Sequence, residues 1–280
     1  MAEALSPAEL RDFIARALKE DVGRGDWTTL GTVPRGKRIT ANMVARQDLV
    51  LAGADIAIAI FRRLAPKAQI RLIKRDGARV EKGKVILTIR GRARPILTAE
   101  RAALNVVQHL SGIATLTAAY VARLKGTGTV LLDTRKTIPG LRRLEKYATR
   151  VGGAQNHRHG LYDAILIKDN HIAAAGGIVQ AIRGAKRLRK NIPLEVECDT
   201  LSQLKLALHE GIDLVLLDNM SLAELRKAVK IAKGRAKIEA SGGVTLNNIR
   251  AIARTGVEYI STSKITQSAP AADIALDFGC

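Results

Sequence analysis

The segment that follows Asp133 is rich in side chains that bind anions. Between Arg135 and Lys168 it has eight Lys or Arg residues but only two acids, Glu145 and Asp163. The eight cations are Arg135, Lys136, Arg142, Arg143, Lys146, Arg150, Arg158 and Lys168, with His157 and His159 among them and His171 just beyond. So many cationic groups with so few carboxylates to pair with predict that the segment faces a polyanion.

Strand-like runs of apolar residues recur along the second half of the chain, and each ends in polar residues. The runs are TVLLDT, AILIKD, PLEVECD, LVLLDN, KIEASGG and YISTSK, with helix-like segments such as SLAELRKAVKIAK between them. Continuous apolar strands that alternate with amphipathic helices indicate a parallel sheet with helical crossovers. Six such units predict a barrel, and a barrel assembles its site at the carboxyl ends of the strands.

The chemically useful side chains stand at those carboxyl ends. Arg135 and Lys136 follow the first run, Lys168 ends the second, Glu197 lies in the third on the same side as Glu195, Asp218 ends the fourth, and SGG and TSK belong to the last two. If the strands are neighbours, these groups converge on one rim. The sequence therefore predicts a pocket with a broad cationic wall and two carboxylates.

Two features of this pocket also have simpler explanations. Glycines after a strand often only permit a tight turn, but ASGGV and STSK stand where barrels commonly bind a phosphate, so phosphate binding is favoured. Asp218 either caps the helix that follows it or, with Glu197 on the preceding strand, binds Mg²⁺ or sugar hydroxyls. The second of these alternatives is preferred.

The basic segment also contains three histidines and four cations within a short helical stretch. A metal ion at the three histidines is disfavoured, because the surrounding Arg and Lys would repel it. The cations between residues 142 and 150 are spaced as one or two helical faces, so we expect them to be largely exposed to solvent. They are Arg142, Arg143, Lys146 and Arg150.

The first hundred residues have a different organisation. Ser6, Pro7 and Glu9 occupy the positions of a helix capping box with proline at the first helical position. From about Ile39 to Leu97 the chain alternates apolar and polar residues between turn signals, as in short antiparallel strands. We predict an N-terminal α+β sandwich domain with a half-barrel-like antiparallel sheet over residues 1–110. An incomplete parallel (β/α) barrel follows over residues 111–280, and its last residues are able to pack back on the first domain.

Composition restricts the functional class. The formal net charge is +20, but only 3% of the 280 residues are aromatic, which disfavours a single-stranded nucleic-acid binder. The longest apolar run, LVLAGADIAIAI, is interrupted by Asp55, so no membrane segment is expected. Two cysteines, Cys198 and Cys280, cannot form a disulfide framework, which agrees with a reducing compartment. We expect a soluble, cytoplasmic enzyme for small anionic substrates, without a nucleic-acid or membrane partner.

Long stretches of the chain resemble one enzyme family. They are ERAALNVVQHLSGIATLT, DTRKTIPGLRRLEKYATRVGGAQNHRHGLYDAILIKDNHI, LEVECDT, LLDNM and IEASGGVTLNNI, with EDVGRGDWTT near the front and ITQSAPAADIALDF near the end. Together they are similar to the quinolinate phosphoribosyltransferases, also called carboxylating nicotinate-nucleotide pyrophosphorylases. The similarity runs essentially from end to end.

The resemblance implies a reaction between two polyanions. Enzymes of this family join quinolinate to phosphoribosyl pyrophosphate with Mg²⁺, and release pyrophosphate and CO₂ to give nicotinate mononucleotide for NAD biosynthesis. Arginine forks match carboxylates bidentately, whereas lysine ammonium groups suit phosphates as point charges. A mixed wall of Arg and Lys is therefore expected.

The resemblance also implies residue roles. Arg135, His157 and Arg158 would hold the quinolinate carboxylates, and Arg101 would reach in from the partner subunit of a homodimer or a higher oligomer. Lys136, Lys168 and His171 would lie near the pyrophosphate and the ring, and Glu197 and Asp218 would bind ribose hydroxyls and Mg²⁺. The 5′-phosphate would rest on Ser241, Gly242, Gly243, Ser261 and Ser263, and Thr134 belongs to the same substrate-binding set. Lys136, Lys168, Glu197 and Asp218 are the expected catalytic residues.

One departure from the family pattern and several rival functions remain at this point. The last strand reads ISTS where the family commonly has glycine at the position of Ser263, so the detail of the phosphate site is open. The rivals are a phosphoribosyltransferase of different substrate, such as nicotinate itself, a related branch associated with molybdenum transport, and a basic nucleic-acid-binding module.

Overall fold

The computed structural model describes residues 5–188 and 192–279. The helices are α1 (Pro7–Val22), α2 (Trp27–Thr32), α3 (Ala54–Leu64), α4 (Ala93–Leu124), α5 (Arg142–Val151), α6 (Asp169–Ala174), α7 (Ile178–Leu188), α8 (Leu201–His209), α9 (Leu222–Ala232), α10 (Ile249–Ala253) and α11 (Lys264–Gln267). The strands are β1 (Arg38–Ala45), β2 (Leu49–Val50), β3 (Gln69–Leu72), β4 (Arg79–Val80), β5 (Val85–Arg92), β6 (Val130–Leu132), β7 (Ile165–Ile167), β8 (Leu194–Cys198), β9 (Leu214–Asp218), β10 (Lys237–Ser241), β11 (Tyr259–Ser261) and β12 (Ile274–Gly279).

The chain forms two compact units that are discontinuous in sequence. One contains residues 1–118, 143–153 and 269–280, and the other contains residues 119–142 and 154–268. Helix α5 and strand β12 therefore belong to the first unit, although they follow the start of the parallel sheet in the chain. The sequence-based boundary near residue 110 stays a prediction.

The first unit is built on antiparallel strands. Its four-stranded sheet has the order β12–β1–β5–β3, and β2 pairs with β4 in a separate two-stranded sheet. The predicted capping box is present, because Ser6 Oγ accepts from the Glu9 backbone N–H and the Glu9 carboxylate accepts from the Ser6 N–H. The predicted α+β organisation with an antiparallel sheet is confirmed.

Arg143 and Arg150 of α5 are exposed, as expected for a solvated face, and Arg142 is half-buried. Lys146 and Glu145 are both fully buried in the first unit, so the prediction of exposure was wrong for Lys146. The chain just after α5 is also closely packed, because a side chain on Gly152 would clash with Thr117 and with the Ala114 carbonyl of α4. Glu145 Oε1 lies 3.0 Å from His109 Nε2 of α4, so this buried carboxyl group has a hydrogen-bond partner inside the unit.

The second unit contains the predicted parallel sheet. All six expected strands are present, in the order β6–β11–β10–β9–β8–β7, and every pair is parallel. The edge strands β6 and β7 are not paired with each other, and Gln155 forms a single parallel bridge to Leu132 of β6. One cavity is lined by residues that belong to or directly follow all six strands, so the sheet is curved around it. The incomplete parallel barrel is confirmed.

Apolar side chains fill the sheet and its helical cover. Strand β8 is buried at every position, and Val196 and Cys198 are completely inaccessible. Burial raises the pKa of the Cys198 thiol to about 12, which suits a core residue rather than a reactive one. Cys280 lies outside the described residues. Among the described helices, none is long and apolar enough to cross a membrane.

Candidate active site

A cavity of about 390 Å³ opens at the carboxyl ends of the parallel strands. Ten residues predicted from the sequence contribute to its wall: Thr134, Arg135, Lys136, His157, Arg158, Lys168, Glu197, Asp218, Ser241 and Ser261. Leu166, Leu216 and Glu239 complete the lining. The carboxyl ends of parallel strands thus bring together groups that are more than 120 positions apart in the chain.

Five predicted site residues do not line this cavity. Gly242 and Gly243 follow β10, Ser263 directly precedes α11, and His171 lies in α6. Arg101 lies on an exposed face of α4 in the first unit. Its predicted role depends on a second subunit, so it stays a prediction.

Two arginines form the cationic part of the wall. Arg158 donates from Nη1 to the carbonyl of Ala164 at 3.1 Å, and partial burial with the adjacent charge of Arg135 lowers its pKa, against the opposing effect of Glu195 and Asp163. The buried Nε of Arg135 has no hydrogen-bond partner among the described residues. Two neighbouring guanidinium groups, one with an unused buried donor, form a site for an anion.

His157 is held by several protein groups. Its backbone N–H donates to Asp133 Oδ1 at 2.9 Å, and Asp133 also accepts from Asn156 Nδ2 at 2.5 Å. The ring Nδ1 accepts from the Arg158 N–H at 2.8 Å, while Nε2 lies 3.0 Å from Glu195 Oε2. Asp133 is completely buried at the end of β6, so it anchors the segment that carries both His157 and Arg158.

Lys168 and Glu197 form an ion pair across neighbouring strands. The Nζ of Lys168 donates to Glu197 Oε2, and the side chain of Glu197 is nearly buried whereas that of Lys168 is partly exposed. His171 supports this lysine, because its Nδ1 accepts from the Lys168 backbone N–H at 3.0 Å. The two expected catalytic residues therefore orient each other at the rim.

Asp218 projects into the cavity and does not cap a helix. Helix α9 begins after Ser221, which forms a capping box with Glu224. The Asp218 carboxylate instead accepts from Asn219 Nδ2 at 2.7 Å, and Asn219 has a positive φ of 53°. Gly242 has a φ of 87°, and a side chain there would clash with Asn219. This glycine is required so that the ends of β9 and β10 can approach each other.

The predicted phosphate end of the cavity is built from short polar turns. Ser241 ends β10 and Ser261 ends β11, and both line the cavity. Asn248 stiffens the turn between them, because its Nδ2 donates to the Gly243 carbonyl at 3.0 Å and its Oδ1 accepts from the Thr245 N–H at 2.8 Å. Backbone N–H groups and hydroxyls at such a turn suit a phosphate.

Sequence reasoning missed several supporting residues. Thr266 Oγ1 donates to the carbonyl of Lys136 at 2.8 Å and so links α11 to the segment that follows β6. Glu239 lies two positions before Ser241, on the same face of β10, but was not selected. Period-two alternation along β10 would have found it, because Ser241 already marked the face that lines the cavity.

Beneath the first cavity lies a layer of buried titratable groups. His157, Glu195 and Glu239 bring one ligand atom each to within 4.8 Å of one another. Burial and the charge of Glu195 raise the pKa of Glu239 to about 8, with His157 opposing the shift. A second cavity of about 700 Å³, toward the amino ends of the strands, lies on the other side of this layer and shares only His157, Arg158 and Glu239 with the first.

Comparison with known families agrees with this geometry. The family model described as "Quinolinate phosphoribosyl transferase, C-terminal domain" matches residues 113–277, and the corresponding N-terminal domain model matches residues 26–111. The chain belongs to the quinolinate phosphoribosyltransferase family. These matches and the relatives give no support to the nucleic-acid alternative.

Relatives and solved structures of the family cover nearly the whole chain. The nicotinate-nucleotide pyrophosphorylase [carboxylating] of Mycobacterium leprae is 46% identical over 95% of this chain and 96% of its own length. The probable enzyme of the same name from Bacillus subtilis is 42% identical over 96% of this chain and 93% of its own length. The structure of the nicotinate-nucleotide pyrophosphorylase from Francisella tularensis superposes with a TM-score of 0.95 at 40% identity, covering 100% of this chain and 99% of the other.

Proposed function

We propose that this protein transfers a phosphoribosyl group from phosphoribosyl pyrophosphate to quinolinate, with loss of CO₂, to give nicotinate mononucleotide for NAD biosynthesis. Family membership supports the reaction class. The arginine pair Arg135 and Arg158 carries the proposal. Two adjacent guanidinium groups, one with an unused buried Nε, match the two carboxylates of a dicarboxylate. His157 completes this anion-binding wall.

The other end of the cavity suits the phosphoribosyl donor. Ser241 and Ser261, with Gly242, Gly243 and Ser263 beside them, would hold the 5′-phosphate through hydroxyls and backbone N–H groups. Ser263 stands at the usual glycine position, where its hydroxyl would add a donor. Lys136 and Lys168 would lie along the pyrophosphate, with His171 fixing the backbone of Lys168.

Glu197 and Asp218 fit a Mg²⁺ ion that is shared with substrate. Each lines the cavity with a carboxylate that uses one oxygen in a described hydrogen bond, to Lys168 and Asn219 respectively. Magnesium commonly binds through one or two protein carboxylates together with substrate phosphates and water. Bound there, the ion would neutralise part of the negative charge on pyrophosphate.

The residues contribute mainly position and fixed charge to the chemistry. Cleavage of the bond between the ribosyl carbon and pyrophosphate leaves an oxocarbenium-like carbon. The pyridine nitrogen of quinolinate attacks this carbon. The 2-carboxylate then leaves as CO₂, its electron pair stays on the ring carbon beside the cationic nitrogen, and that carbon takes up a proton. Arg135 and Arg158 orient the ring, Lys136 and Lys168 stabilise the leaving group, and Glu197 and Asp218 hold the ribose hydroxyls.

The proposed enzyme is a cytoplasmic homodimer with shared sites. Arg101 would extend from the partner subunit toward the quinolinate carboxylates. Its exposure on α4 supports this role, because an unburied guanidinium is available to another chain. Exchange of subunits between two inactive variants tests it.

Incubation with phosphoribosyl pyrophosphate, Mg²⁺ and either quinolinate or nicotinate tests the substrate. We expect nicotinate mononucleotide from quinolinate, and far slower turnover of nicotinate. Loss of one carboxylate leaves a guanidinium in the site unpaired, at a cost of roughly 2–5 kcal/mol. Product formation followed by chromatography measures both reactions. Equal turnover of the two acids would favour a nicotinate phosphoribosyltransferase, and salt-sensitive RNA or DNA binding without turnover would favour the nucleic-acid module.

Alanine at Glu197 or Asp218 should reduce turnover while quinolinate still binds. The two carboxylates are proposed to position ribose and Mg²⁺, whereas the dicarboxylate wall is built from other residues. Calorimetry with quinolinate alone separates binding from turnover, and Asp218→Asn provides a variant of the same size. A folded Asp218→Ala protein that no longer binds quinolinate would contradict the assignment.

A further inference from the structure

The buried layer beneath the cavity contains a carboxyl group that the reaction described above does not use. Glu239 lines the cavity, its side chain is 1% exposed, and its Oε2 lies 3.6 Å from His157 Nε2. Glu195 is 5% exposed and lies 3.0 Å from the same nitrogen. Two buried carboxyl groups therefore lie close to the same imidazole nitrogen, His157 Nε2.

The imidazole has only one hydrogen to offer these two groups. His157 Nδ1 accepts a hydrogen bond from the Arg158 backbone N–H, and a nitrogen that accepts in this way carries no proton. The neutral ring therefore has its hydrogen on Nε2, which is closer to Glu195 than to Glu239. Among the described residues, the Ser261 hydroxyl lies near enough to Glu239 to favour its ionised form, but no donor meets hydrogen-bonding geometry at either Glu239 oxygen.

Two ionised carboxylates in this arrangement would repel each other and would also repel the proposed substrate. A buried carboxylate without a well-placed donor is destabilised, and a second carboxylate close by makes ionisation of both still less favourable. Glu239 faces the cavity in which quinolinate, a dianion, would be bound by Arg135 and Arg158. A negative charge on the buried Glu239 side chain would repel that dianion.

We propose that Glu239 is a specificity-determining residue: the site binds quinolinate only while the Glu239 carboxyl group is protonated. Binding of the dianion is therefore coupled to binding of one proton. The inference rests on the proposed function and deepens it. A protonated Glu239 removes one negative charge from the wall of the dicarboxylate site and leaves the attraction of the arginines unopposed. An ionised Glu239 excludes the same ligand.

The groups around Glu239 decide the direction of the pH effect. The neighbouring strand β9 contributes only Leu216 in register, and it separates β10 from Glu197 of β8. The titratable or charged groups around it, from the surrounding elements and from β10 itself, are Glu195 of β8, Asp213 and Asp218 at the two ends of β9, Tyr259 of β11, Arg135, His157, Arg158 and Lys237, with the Ser261 hydroxyl on β11. The pKa of Glu239 is about 8, raised first by burial and then by Glu195, so the acid is neutral below that pH and ionised above it.

Calorimetric titration with quinolinate tests this linkage. In the wild type, Kd should rise about five- to tenfold between about pH 7.5 and pH 9, because the neutral acid becomes scarce. Titrations in buffers of different ionisation enthalpy should show uptake approaching one proton per quinolinate near pH 9 and almost none near pH 7. Glu239→Gln keeps the shape and neutrality of the acid, so its Kd should match the wild type near pH 7 and stay constant to pH 9.

A control variant and two further measurements test whether the pH dependence comes from Glu239. Glu81→Gln, at an exposed glutamate of the first unit, should retain the wild-type pH dependence. If quinolinate binds only after phosphoribosyl pyrophosphate, kcat/KM for quinolinate at saturating donor provides the same comparison. If Glu239→Gln does not fold, infrared difference spectra of the wild type at high pH should gain a carboxylic-acid band when quinolinate binds.

Each outcome has a distinct meaning. Quinolinate that neither binds nor reacts at any pH overturns the proposed function and the inference with it. Quinolinate that binds with equal pH dependence in the wild type and Glu239→Gln, or without a new carboxylic-acid band in the wild type, overturns the inference alone.

Discussion

Arg158→Ala should lower kcat/KM for quinolinate by between tens and thousands of fold. A charged group that loses its partner in a desolvated site costs about 2–5 kcal/mol, and the bound carboxylate would lose a fork of two N–H donors. Arg135 cannot compensate, because it is proposed to hold the other carboxylate. Steady-state kinetics with quinolinate at saturating phosphoribosyl pyrophosphate measure the effect, and most of it should appear in quinolinate affinity.

Two further variants show whether the loss is specific. Arg226→Ala removes an arginine from an exposed position of α9 and should leave the kinetics unchanged. Arg158→Lys should recover only part of the loss, since an ammonium group cannot form a bidentate pair with a carboxylate. Because Arg158 also donates to the Ala164 carbonyl, thermal unfolding of each variant is needed as a check on the fold. A folded Arg158→Ala enzyme with wild-type quinolinate kinetics would remove this arginine from the site.

Mixing two inactive variants should restore activity to about a quarter of the wild-type value per site. Arg101→Ala and Lys136→Ala homodimers should each be nearly inactive, because every site contains one defect. If Arg101 acts in trans, a mixed dimer collects both defects in one site and none in the other. Random exchange makes about half of the dimers mixed, and half of the sites in these are intact. Activity after subunit exchange, with native mass spectrometry to count mixed dimers, measures the recovery.

A second mixture provides the matched control. Lys136→Ala and Lys168→Ala are proposed to affect the same chain's site, so each site of their mixed dimer keeps one defect and activity should stay low. Recovery in this control would show that activity after mixing does not report shared sites. No recovery in the Arg101 mixture, despite confirmed mixed dimers, would mean that Arg101 serves its own chain.

The parallel strands and the rim of the site were predictable because their signals are local. An apolar run such as LVLLD forms a strand buried on both faces, and the polar residue at its end must emerge at the rim. The rule that a barrel site lies at the carboxyl ends of its strands then grouped Arg135, Lys168 and Asp218 before any contact was known. The structure brings all three to one cavity.

Interactions between elements were not predictable in the same way. The helical spacing of Lys146 is compatible with a solvated face, and only tertiary packing buries it. Asp218 has a sequence position that suits a helix cap, but helix α9 starts after Ser221 and leaves the carboxylate directed into the cavity. For both residues the outcome depends on how a second part of the chain is placed around them. The sequence of one segment does not specify that placement.

The sequence by itself determined the parallel strands, the cationic rim and the family resemblance, since each depends on residue type and on spacing along a short segment. Only the tertiary structure decided which charges meet. Lys168 pairs with Glu197 across two strands, and Glu195 and Glu239 converge on His157 although they belong to strands that are not neighbours. Curvature of the sheet sets these distances, and burial then sets the ionisation of Glu239, because the energy of a charge depends on the solvent and the other charges around it.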